Sequence, residues 1–253
     1  MPRGPRRKSG SGIYHIMVRG INRQTIFEDD EDKKRFLETL KKYKEICNYQ
    51  IYGYCLMDNH VHLLLRETDE SISEAIKRIS SSYVYWYNMK YERSGHLFQG
   101  RFKGENVENA AYFLTVLRYI HQNPVKAGLA NNTFATKWTS ITEYTQQVHM
   151  VDIDFGLDLF STDRNKAKRL YIEYMQQPND DQCLEDTFID KKSDDEIREI
   201  LFQLGIPNKS ILQKMNRKNR NDILAKLKAM NGISLRQLSR ITGISKSVIH
   251  RVD

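Results

Sequence analysis

The chain has 253 residues, of which 40% are hydrophobic and 28% charged, so it can fold as one large domain or two smaller ones. Its net charge of +8 weakly favours a polyanionic partner. The composition does not fit a disulfide scaffold, a secreted precursor or a membrane protein. The three cysteines lack metal-ligand spacing, no apolar run follows the basic N-terminus, and none is long enough to span a bilayer. We expect a cytoplasmic protein that does not bind a membrane.

The first half of the chain alternates strand patterns with helical patterns. In chain order we predict a strand over 12–19, a helix from Asp29 or Asp30, strands over 50–57 and 61–66, a helix over 71–91, a strand or glycine-hinged hairpin over 95–103, and a helix from about Asn109 to Gln122. Pro124 should end the last helix near Asn123, because proline disfavours helix in the residue before it. This order predicts an α+β fold with helices packed against an antiparallel sheet.

The first two helices have apolar stripes and recognisable starts. Ser71 and Glu74 have the spacing of a capping box. The stripes are Phe36, Leu37, Leu40, Tyr43 and Ile46 in one helix, and Ile72, Ile76, Ile79, Tyr83 and Trp86 in the other. Among Tyr83, Tyr85, Trp86 and Tyr87 we expect mostly core residues, with base stacking as the alternative for an exposed ring.

The second half of the chain begins with polar linkers and short amphipathic pieces, including a helix over 168–175. Further helices are predicted over 195–204, 220–230, 235–242 and 246–252. The last two match a helix-turn-helix in which Gly243 permits the turn, and Leu238 and Ile249 hold the helices together. An ordinary helical bundle is the alternative. The residues expected to face DNA are Ser245, Lys246, Ser247, His250 and Arg251.

Residues 59–65 (NHVHLLL) place two histidines two positions apart in the most apolar strand. Side chains alternate along a strand, so His60 and His62 should share one face while Val61 points into the core. Two imidazoles on a rigid strand form half of a metal site, and two ordinary surface histidines are the alternative. Histidine-triad hydrolases need a third histidine where Leu64 stands, and two-histidine phosphoesterases need separate His-x-Ser/Thr motifs. The remaining class is the HUH nucleases, in which U is hydrophobic.

An HUH centre needs a nucleophile, and residues 117–129 (LRYIHQNPVKAGL) contain a tyrosine at a suitable place. Tyr119 and Asn123 are four residues apart, so they lie on one face of a helix, and the Asn123 amide oxygen could complete the metal site. Gln122 and His121 are alternative donors nearby. Periodicity alone does not choose between Tyr119 and Tyr112, which lies one heptad earlier.

Four stretches resemble the REP-associated tyrosine transposases, within the single-tyrosine HUH superfamily: YHIMVRGINR from Tyr14, MDNHVHLLL from Met57, GHLFQGRFK from Gly95 and YIHQNPVKAG from Tyr119. They span most of residues 12–145 in the family's order. The resemblance implies a ferredoxin-like fold, Mg²⁺ or Mn²⁺ as cofactor, and single-stranded or hairpin DNA as substrate, with repetitive palindromic elements as one candidate. It also implies Tyr119 as nucleophile and Asn123 as third ligand. The C-terminal region resembles the DNA-binding domain of the bacterial replication initiator.

Basic residues outside the centre are candidate phosphate contacts. Arg101 and Lys103, two apart on a predicted strand, would face the same side. Arg23 lies in the first matching stretch. Arg3, Arg6 and Arg7 belong to an N-terminal arm for which a solubilising tail is an equal alternative.

We therefore predict four parts: a basic arm (1–11), a catalytic domain (12–145), a helical connector (146–193) and a helix-turn-helix domain (194–253). The predicted function is metal-dependent DNA cleavage and strand transfer through a 5′-phosphotyrosine, by a monomer or homodimer acting as a transposase. A domesticated DNA-binding regulator and a relaxase or replication-initiator nickase are the alternatives.

Overall fold

The computed structural model describes residues 7–178, 180, 181, 183, 184, 192–230 and 232–252. The chain divides into two compact units, residues 1–185 and 186–253. Of the predicted arm contacts, Arg3 and Arg6 lie outside the described residues, and Arg7 is exposed. None of the described helices is both long enough and apolar enough to cross a bilayer.

The first unit is built on an antiparallel sheet. Its elements are β1 (Ile13–Arg19), α1 (Asp30–Cys47), β2 (Gln50–Met57), β3 (His60–Arg66), α2 (Ile72–Lys90), β4 (Lys103–Asn106), α3 (Ala110–Lys126), α4 (Ile141–Thr145), α5 (Ile153–Asp158) and α6 (Arg164–Gln176). The strand order is β2-β3-β1-β4, and each neighbouring pair is antiparallel. This is the βαββαβ order of a ferredoxin-like sheet, so the predicted fold class is confirmed.

Both faces of the sheet are covered. Val61 and Leu63 point to one face and are fully buried. His15 and His62 point to the other, where the Tyr119 ring on α3 contacts both of them. The alternation of β3 therefore separates a wholly apolar face from a face that carries histidines.

The starts of α1 and α2 differ in one detail from expectation. Asp29 caps α1 and forms a capping box with Asp32. Ser71 caps α2 by accepting a hydrogen bond from the backbone N–H of Glu74. The predicted capping box at Ser71 is absent, because the Glu74 carboxylate pairs with Lys77 at 3.2 Å instead.

The apolar stripes are mostly correct. Tyr83 and Tyr87 are buried, Trp86 is half-buried, and Tyr85 is exposed. Ile46 was expected to face the core but is 58% exposed, because it falls at the outer edge of the α1 stripe near the helix end.

The predicted end of α3 is wrong, since the helix continues through Pro124 to Lys126. Proline lacks one N–H, so it costs a single hydrogen bond when it lies in the last turn. The chain closes the helix just beyond it, where the amides of Ala127, Gly128 and Leu129 donate to the carbonyls of Asn123, Val125 and Pro124 at 2.8–3.0 Å. Gly128, with φ of 71°, provides the left-handed residue that such a closure needs.

The segment over 95–103 is also different from the prediction. Its pairing is limited to an isolated bridge between Phe98 and Gly20, and β4 begins only at Lys103. Gly95 and Gly100 have φ of 92° and 63°, which interrupts an extended strand. Arg101 is therefore not on a strand with Lys103, and the two side chains do not share a strand face as predicted.

Residues 146–176 contribute to the core of the first unit. The helices α5 and α6 bury Leu157, Tyr171 and Met175 completely. The Glu143 carboxylate on α4 accepts hydrogen bonds from three successive backbone amides, at residues 149–151, and so fixes the chain that leads to α5.

The second unit is helical. It contains α7 (Asp194–Gln203), α8 (Lys209–Lys214), α9 (Arg217–Ala229), α10 (Leu235–Thr242) and α11 (Lys246–His250). The six-residue α8 was not predicted, because it buries only one side chain, Leu212, and so has no apolar periodicity.

The turn between α10 and α11 follows the sequence closely. Gly243 has φ of 69°, and a Cβ at this position would lie 2.4 Å from Nε2 of Gln213. Leu238 and Ile249 are fully buried between the helices. The five predicted DNA-facing residues are exposed: Ser245, Lys246, Ser247, His250 and Arg251.

Candidate active site

The two histidines of the His-x-His motif lie together on an inner strand. β3 is hydrogen-bonded to β2 on one side and to β1 on the other, so its position is fixed from both sides. His60 and His62 share a face, with ring centroids 5.0 Å apart, and Val61 faces the opposite side. His62 is fully enclosed, whereas His60 is partly exposed. The two imidazoles therefore lie at the edge of the buried sheet face, next to solvent.

Each of these rings is oriented by a hydrogen bond at Nδ1. Nδ1 of His60 lies 2.6 Å from Oδ1 of Asn59, and Nδ1 of His62 lies 3.0 Å from Nε2 of His15. In the part of the chain that the structure describes, Nε2 of neither ring makes a hydrogen bond. Nε2 is thus the nitrogen that each ring can offer to a metal ion.

The same surroundings keep both rings neutral near pH 7. Burial and the Arg19 guanidinium lower the pKa of His60 to about 4. Burial, followed by the neighbouring imidazoles of His15 and His60, lowers the pKa of His62 well below its ordinary value. A metal-binding histidine must be deprotonated, so both groups are in the state that ligation requires.

Tyr119 is carried by α3 to this pair. Its ring is 5% exposed and meets the His62 ring edge to face, with centroids 5.5 Å apart. Nζ of Lys126 lies 5.3 Å from the centre of the Tyr119 ring, so a positive charge stands beside it. Tyr112 lies two turns earlier in a different environment, where burial and a hydrogen bond to Glu105 raise its pKa.

The residues beside Tyr119 differ in how free they are to bind a metal. His121 is fully buried, and its two nitrogens lie 2.8 Å from Oγ of Ser140 and 2.8 Å from Oη of Tyr171. Its role is therefore to join α3 to α4 and α6. Gln122 donates to the carbonyl oxygens of Met175 and Gln177 and so fixes the end of α6.

Asn123 lies one turn after Tyr119 and is 8% exposed. Within the described residues, no three His, Cys, Asp or Glu side chains come together as a metal site. A metal ion at this place would therefore rely on two imidazole nitrogens and an amide oxygen. The free Nε2 atoms of His60 and His62 fit that requirement.

Three residues of this site were not singled out from the sequence: His15, Arg19 and Glu105. Arg19 pairs directly with His60 across β1 and β3, and His15 pairs directly with Glu105 across β1 and β4. The alternation of β1 puts His15 and Arg19 on one face, but only the pairing of β1 with β3 brings them to the histidines. A sequence does not reveal that register.

Two of the predicted DNA contacts lie near this face. Lys103 is directly opposite Met17 on β1, on the face that carries His15. Arg23 is exposed, and together with burial it lowers the pKa of Arg19. Arg7 and Arg101 are exposed as well, but no contact among the described residues connects them to the histidines.

A pocket of about 510 Å³ opens beside Tyr119, within the size range of small-ligand sites. It lies between the end of α3, the segment 131–134 and the end of α6. Its lining combines amides with one cation and two aromatic rings: Tyr119, Gln122, Lys126, Asn131, Asn132, Phe134, Gln176 and Gln177, with Val125, Thr133 and Pro178.

Residues 9–123 match the family described as "Transposase IS200 like". This part of the chain is similar to that transposase family. The match begins before β1 and ends at Asn123, so it contains His60, His62 and Tyr119. The resemblance noted in the sequence is thereby confirmed for the transposase domain, whereas the resemblance of the C-terminal region to the replication initiator stays a prediction.

Two solved structures are similar to part of this chain. A REP-associated tyrosine transposase bound to a REP hairpin matches with a TM-score of 0.51 and 18% identity, over 57% of this chain and 86% of that chain. A putative transposase from Deinococcus radiodurans matches with a TM-score of 0.34 and 18% identity, over 51% of this chain and 98% of that chain. The first match shows a similar fold, and the TM-score of the second is too low to support an argument. No curated protein matches the chain.

Proposed function

We propose that the chain cuts one strand of single-stranded or hairpin DNA with Tyr119 and transfers it, as a single-tyrosine HUH transposase. The observation that carries the proposal is the edge-to-face contact of Tyr119 with His62, 5.5 Å between centroids, on the face that also holds His60. The match of residues 9–123 to the IS200-like transposase family supports the same reaction class.

Tyr119 is the proposed nucleophile. Its oxygen attacks the scissile phosphorus, the bond from phosphorus to the 3′ oxygen breaks, and the 5′ end of the cut strand stays on the protein as a phosphotyrosine. The proton lost by Tyr119 balances the proton gained by the leaving 3′ oxygen. A tyrosine hydroxyl has a pKa of about 10 and is a poor nucleophile without help, so the Lys126 charge beside the ring favours the reactive form.

The phosphotyrosine explains why a tyrosine is suitable for strand transfer. It keeps the energy of the broken phosphodiester, so a 3′-hydroxyl of another strand can attack it and restore a DNA bond. Attack by water would end the reaction as simple cleavage. The enclosed position of Tyr119, 5% exposed, supports protection of that bond from water.

His60, His62 and Asn123 are the proposed ligands of a divalent ion. When bound, such an ion neutralises the charge on the scissile phosphate and polarises its phosphorus–oxygen bonds. The two histidines present Nε2, and Asn123 follows Tyr119 by one turn on α3, so a single helix would carry both nucleophile and ligand. Two nitrogen ligands suit Mn²⁺ better than Mg²⁺, which prefers an all-oxygen shell.

Basic residues around the histidine face support binding of the DNA backbone. Arg19 lies opposite His60, Arg23 lies close to Arg19, and Lys103 lies on the same sheet face. The pocket beside Tyr119 supports a nucleotide next to the cut, because its amides can read a base edge and Phe134 offers a ring.

The second unit supports a separate DNA contact. Ser245, Lys246, Ser247, His250 and Arg251 are exposed around the start and end of α11, as a recognition helix requires. We propose that α10 and α11 bind duplex DNA, while the first unit acts on a single strand.

A nicking assay on a labelled single-stranded hairpin with Mn²⁺ or Mg²⁺ tests the proposal. The wild-type chain should form a covalent adduct with DNA and release a free 3′-hydroxyl, and Tyr119→Phe should form none. Tyr112→Phe should still form the adduct. Tyr85→Phe, at an exposed position on α2, is the matched control for loss of a phenol.

Two outcomes would contradict the proposal in different ways. An adduct that persists in Tyr119→Phe would remove Tyr119 as the nucleophile. Tight binding of the hairpin without cleavage by either metal ion would instead favour a DNA-binding regulator that has kept only the fold.

A further inference from the structure

A line of buried polar groups leads from His62 away from the proposed metal site. His15 on β1 is completely enclosed, and its Nε2 lies 3.0 Å from Nδ1 of His62. Glu105 on β4 pairs directly with His15 across the sheet, and its Oε2 lies 3.8 Å from Nδ1 of His15. The order Glu105, His15, His62 therefore crosses three neighbouring strands, β4, β1 and β3.

The contact between the two histidines has two possible directions. A neutral imidazole carries one proton, so one of its nitrogens donates and the other accepts. If Nε2 of His15 donates, Nδ1 of His62 accepts, and the proton of His62 must be on Nε2, which blocks that atom for a metal. If Nδ1 of His62 donates, its Nε2 keeps a lone pair.

Glu105 favours the second direction. A carboxylate can only accept, so it favours a proton on Nδ1 of His15, the atom that faces it. Both Nδ1 of His15 and Oε2 of Glu105 are enclosed without a hydrogen-bond partner among the described residues, so each is the nearest complement of the other. With its proton on Nδ1, His15 has only a lone pair at Nε2, and it must accept from His62.

We propose that Glu105 and His15 are positioning residues that fix the tautomer of His62 and keep its Nε2 lone pair directed at the metal site. The proposal rests on His62 being a metal ligand in the proposed function. It extends the usual carboxylate–histidine–metal arrangement by one imidazole. A buried histidine of the sheet and a carboxylate on the edge strand thereby acquire a role in the reaction.

The surroundings of Glu105 agree with this role. Its contact with His15 lowers the pKa of the carboxyl group, which favours the ionised form. The interaction with the Tyr112 hydroxyl lowers the pKa of Glu105 further.

The test measures the tautomer of His62 directly in the metal-free protein. Nitrogen-15 spectra of the histidine rings distinguish a proton on Nδ1 from a proton on Nε2. In the wild type we expect the His62 proton on Nδ1. In Glu105→Gln the amide can donate as well as accept, so both directions become available and the two tautomers of His62 should mix.

Affinity for Mn²⁺ alone, measured by titration calorimetry, gives a second readout. Outer-shell partners typically contribute about 10–100-fold to metal affinity, and we expect a loss in that range for Glu105→Gln. Glu105→Asp keeps the negative charge and should recover part of the lost Mn²⁺ affinity. Glu108→Gln is the matched control and should leave affinity and tautomer unchanged, because this nearby carboxylate accepts hydrogen bonds from the amides of Gly10 and Ser11 and from Asn106.

The outcomes separate this proposal from the proposed function. Two results would overturn the positioning role of Glu105 and His15 even if the protein nicks DNA. One is a wild-type His62 with its proton on Nε2, and the other is an unchanged tautomer and Mn²⁺ affinity in a folded Glu105→Gln. The expected tautomers without any nicking would support the positioning role and count against the proposed function. Thermal unfolding checks that each variant is folded.

Discussion

The rings of Tyr119 and His62 meet edge to face, with their centroids 5.5 Å apart. The contact joins α3 to the inner strand β3, so the proposed nucleophile and the proposed ligand support each other's position. A change that shifts α3 on the sheet should therefore alter the reaction even when it touches neither residue.

Gly53→Ala tests this by crowding the side of α3 that packs on β2. A Cβ at Gly53 would lie 3.0 Å from Cδ1 of Leu117 and 3.5 Å from Oγ of Ser140, so the Leu117 side chain on α3 must give by a few tenths of an ångström. Overpacking of this kind costs about 1–3 kcal/mol. We expect the nicking rate to fall more than DNA affinity does, as measured by single-turnover kinetics and hairpin binding. Equal rates in the two proteins would show that α3 can absorb the methyl group.

The two histidines should differ in what they contribute to stability. In His62→Ala the buried His15 loses its partner, and an unsatisfied buried group costs about 1–3 kcal/mol. His60 is partly exposed, so water can replace it at Asn59 in His60→Ala. Denaturant unfolding should rank His62→Ala as the less stable variant. Both should lose Mn²⁺ affinity by more than the roughly 10–100-fold typical of outer-shell residues.

The basic residues of α11 should control binding of duplex DNA without affecting cleavage of a single strand. Each phosphate contact contributes about 0.9 to the slope of log affinity against log salt. Lys246→Ala and Arg251→Ala should each lower that slope by about 1, with nicking of a short unpaired strand unchanged. Lys226→Ala, an exposed lysine on α9 outside the predicted contacts, is the control. Unchanged slopes in the α11 variants would argue for an ordinary helical bundle.

The start of the chain should loosen in acid. Glu108 accepts hydrogen bonds from the amides of Gly10 and Ser11 at 3.0–3.1 Å, and these bonds lower the pKa of its carboxyl group. Because the pKa of Glu108 is lowered in the folded protein, its hydrogen bonds to the two amides stabilise the start of the chain fully above the ordinary pKa of a carboxyl group. This stabilisation is lost as the pH falls through the pKa that Glu108 has in the folded protein. Hydrogen exchange of the two amides, corrected for intrinsic rates, should rise over that interval. Glu108→Gln should exchange faster at neutral pH and should respond less to acid.

The sequence predicted those elements whose pattern is local. β1, β2, β3 and α2 start and end within one residue of the expected bounds, and α1 starts where expected, because alternation, helical spacing and caps are written in neighbouring residues. The helix α3 ran past its predicted end, because the closing bonds around Gly128 outweigh the single bond that Pro124 lacks. The structure has a loop with two glycines of positive φ where a strand or glycine-hinged hairpin was expected over 95–103.

The site shows the same limit. His60 and His62 could be proposed because they form a short motif, and Tyr119 because its stretch resembles a known family. His15, Arg19 and Glu105 could not, because their importance depends on which strands pair and in which register. His121 could be excluded as a metal ligand only once its hydrogen-bond partners were known. These are Ser140 and Tyr171, which lie 19 and 50 residues further along the chain.

The alternation along β3 has a consequence for how activity is lost. Val61 and Leu63 enter the apolar face while His60 and His62 face the site, so a one-residue slip in pairing would exchange the two sets. A mispaired chain would bury both imidazoles in the apolar face and expose the apolar side chains of β3. No partly active form would exist between the native and the mispaired chain. The specific activity of a preparation should therefore report the fraction of molecules in the native register, and destabilising changes far from the site should lower the number of active molecules while each active molecule keeps its turnover rate.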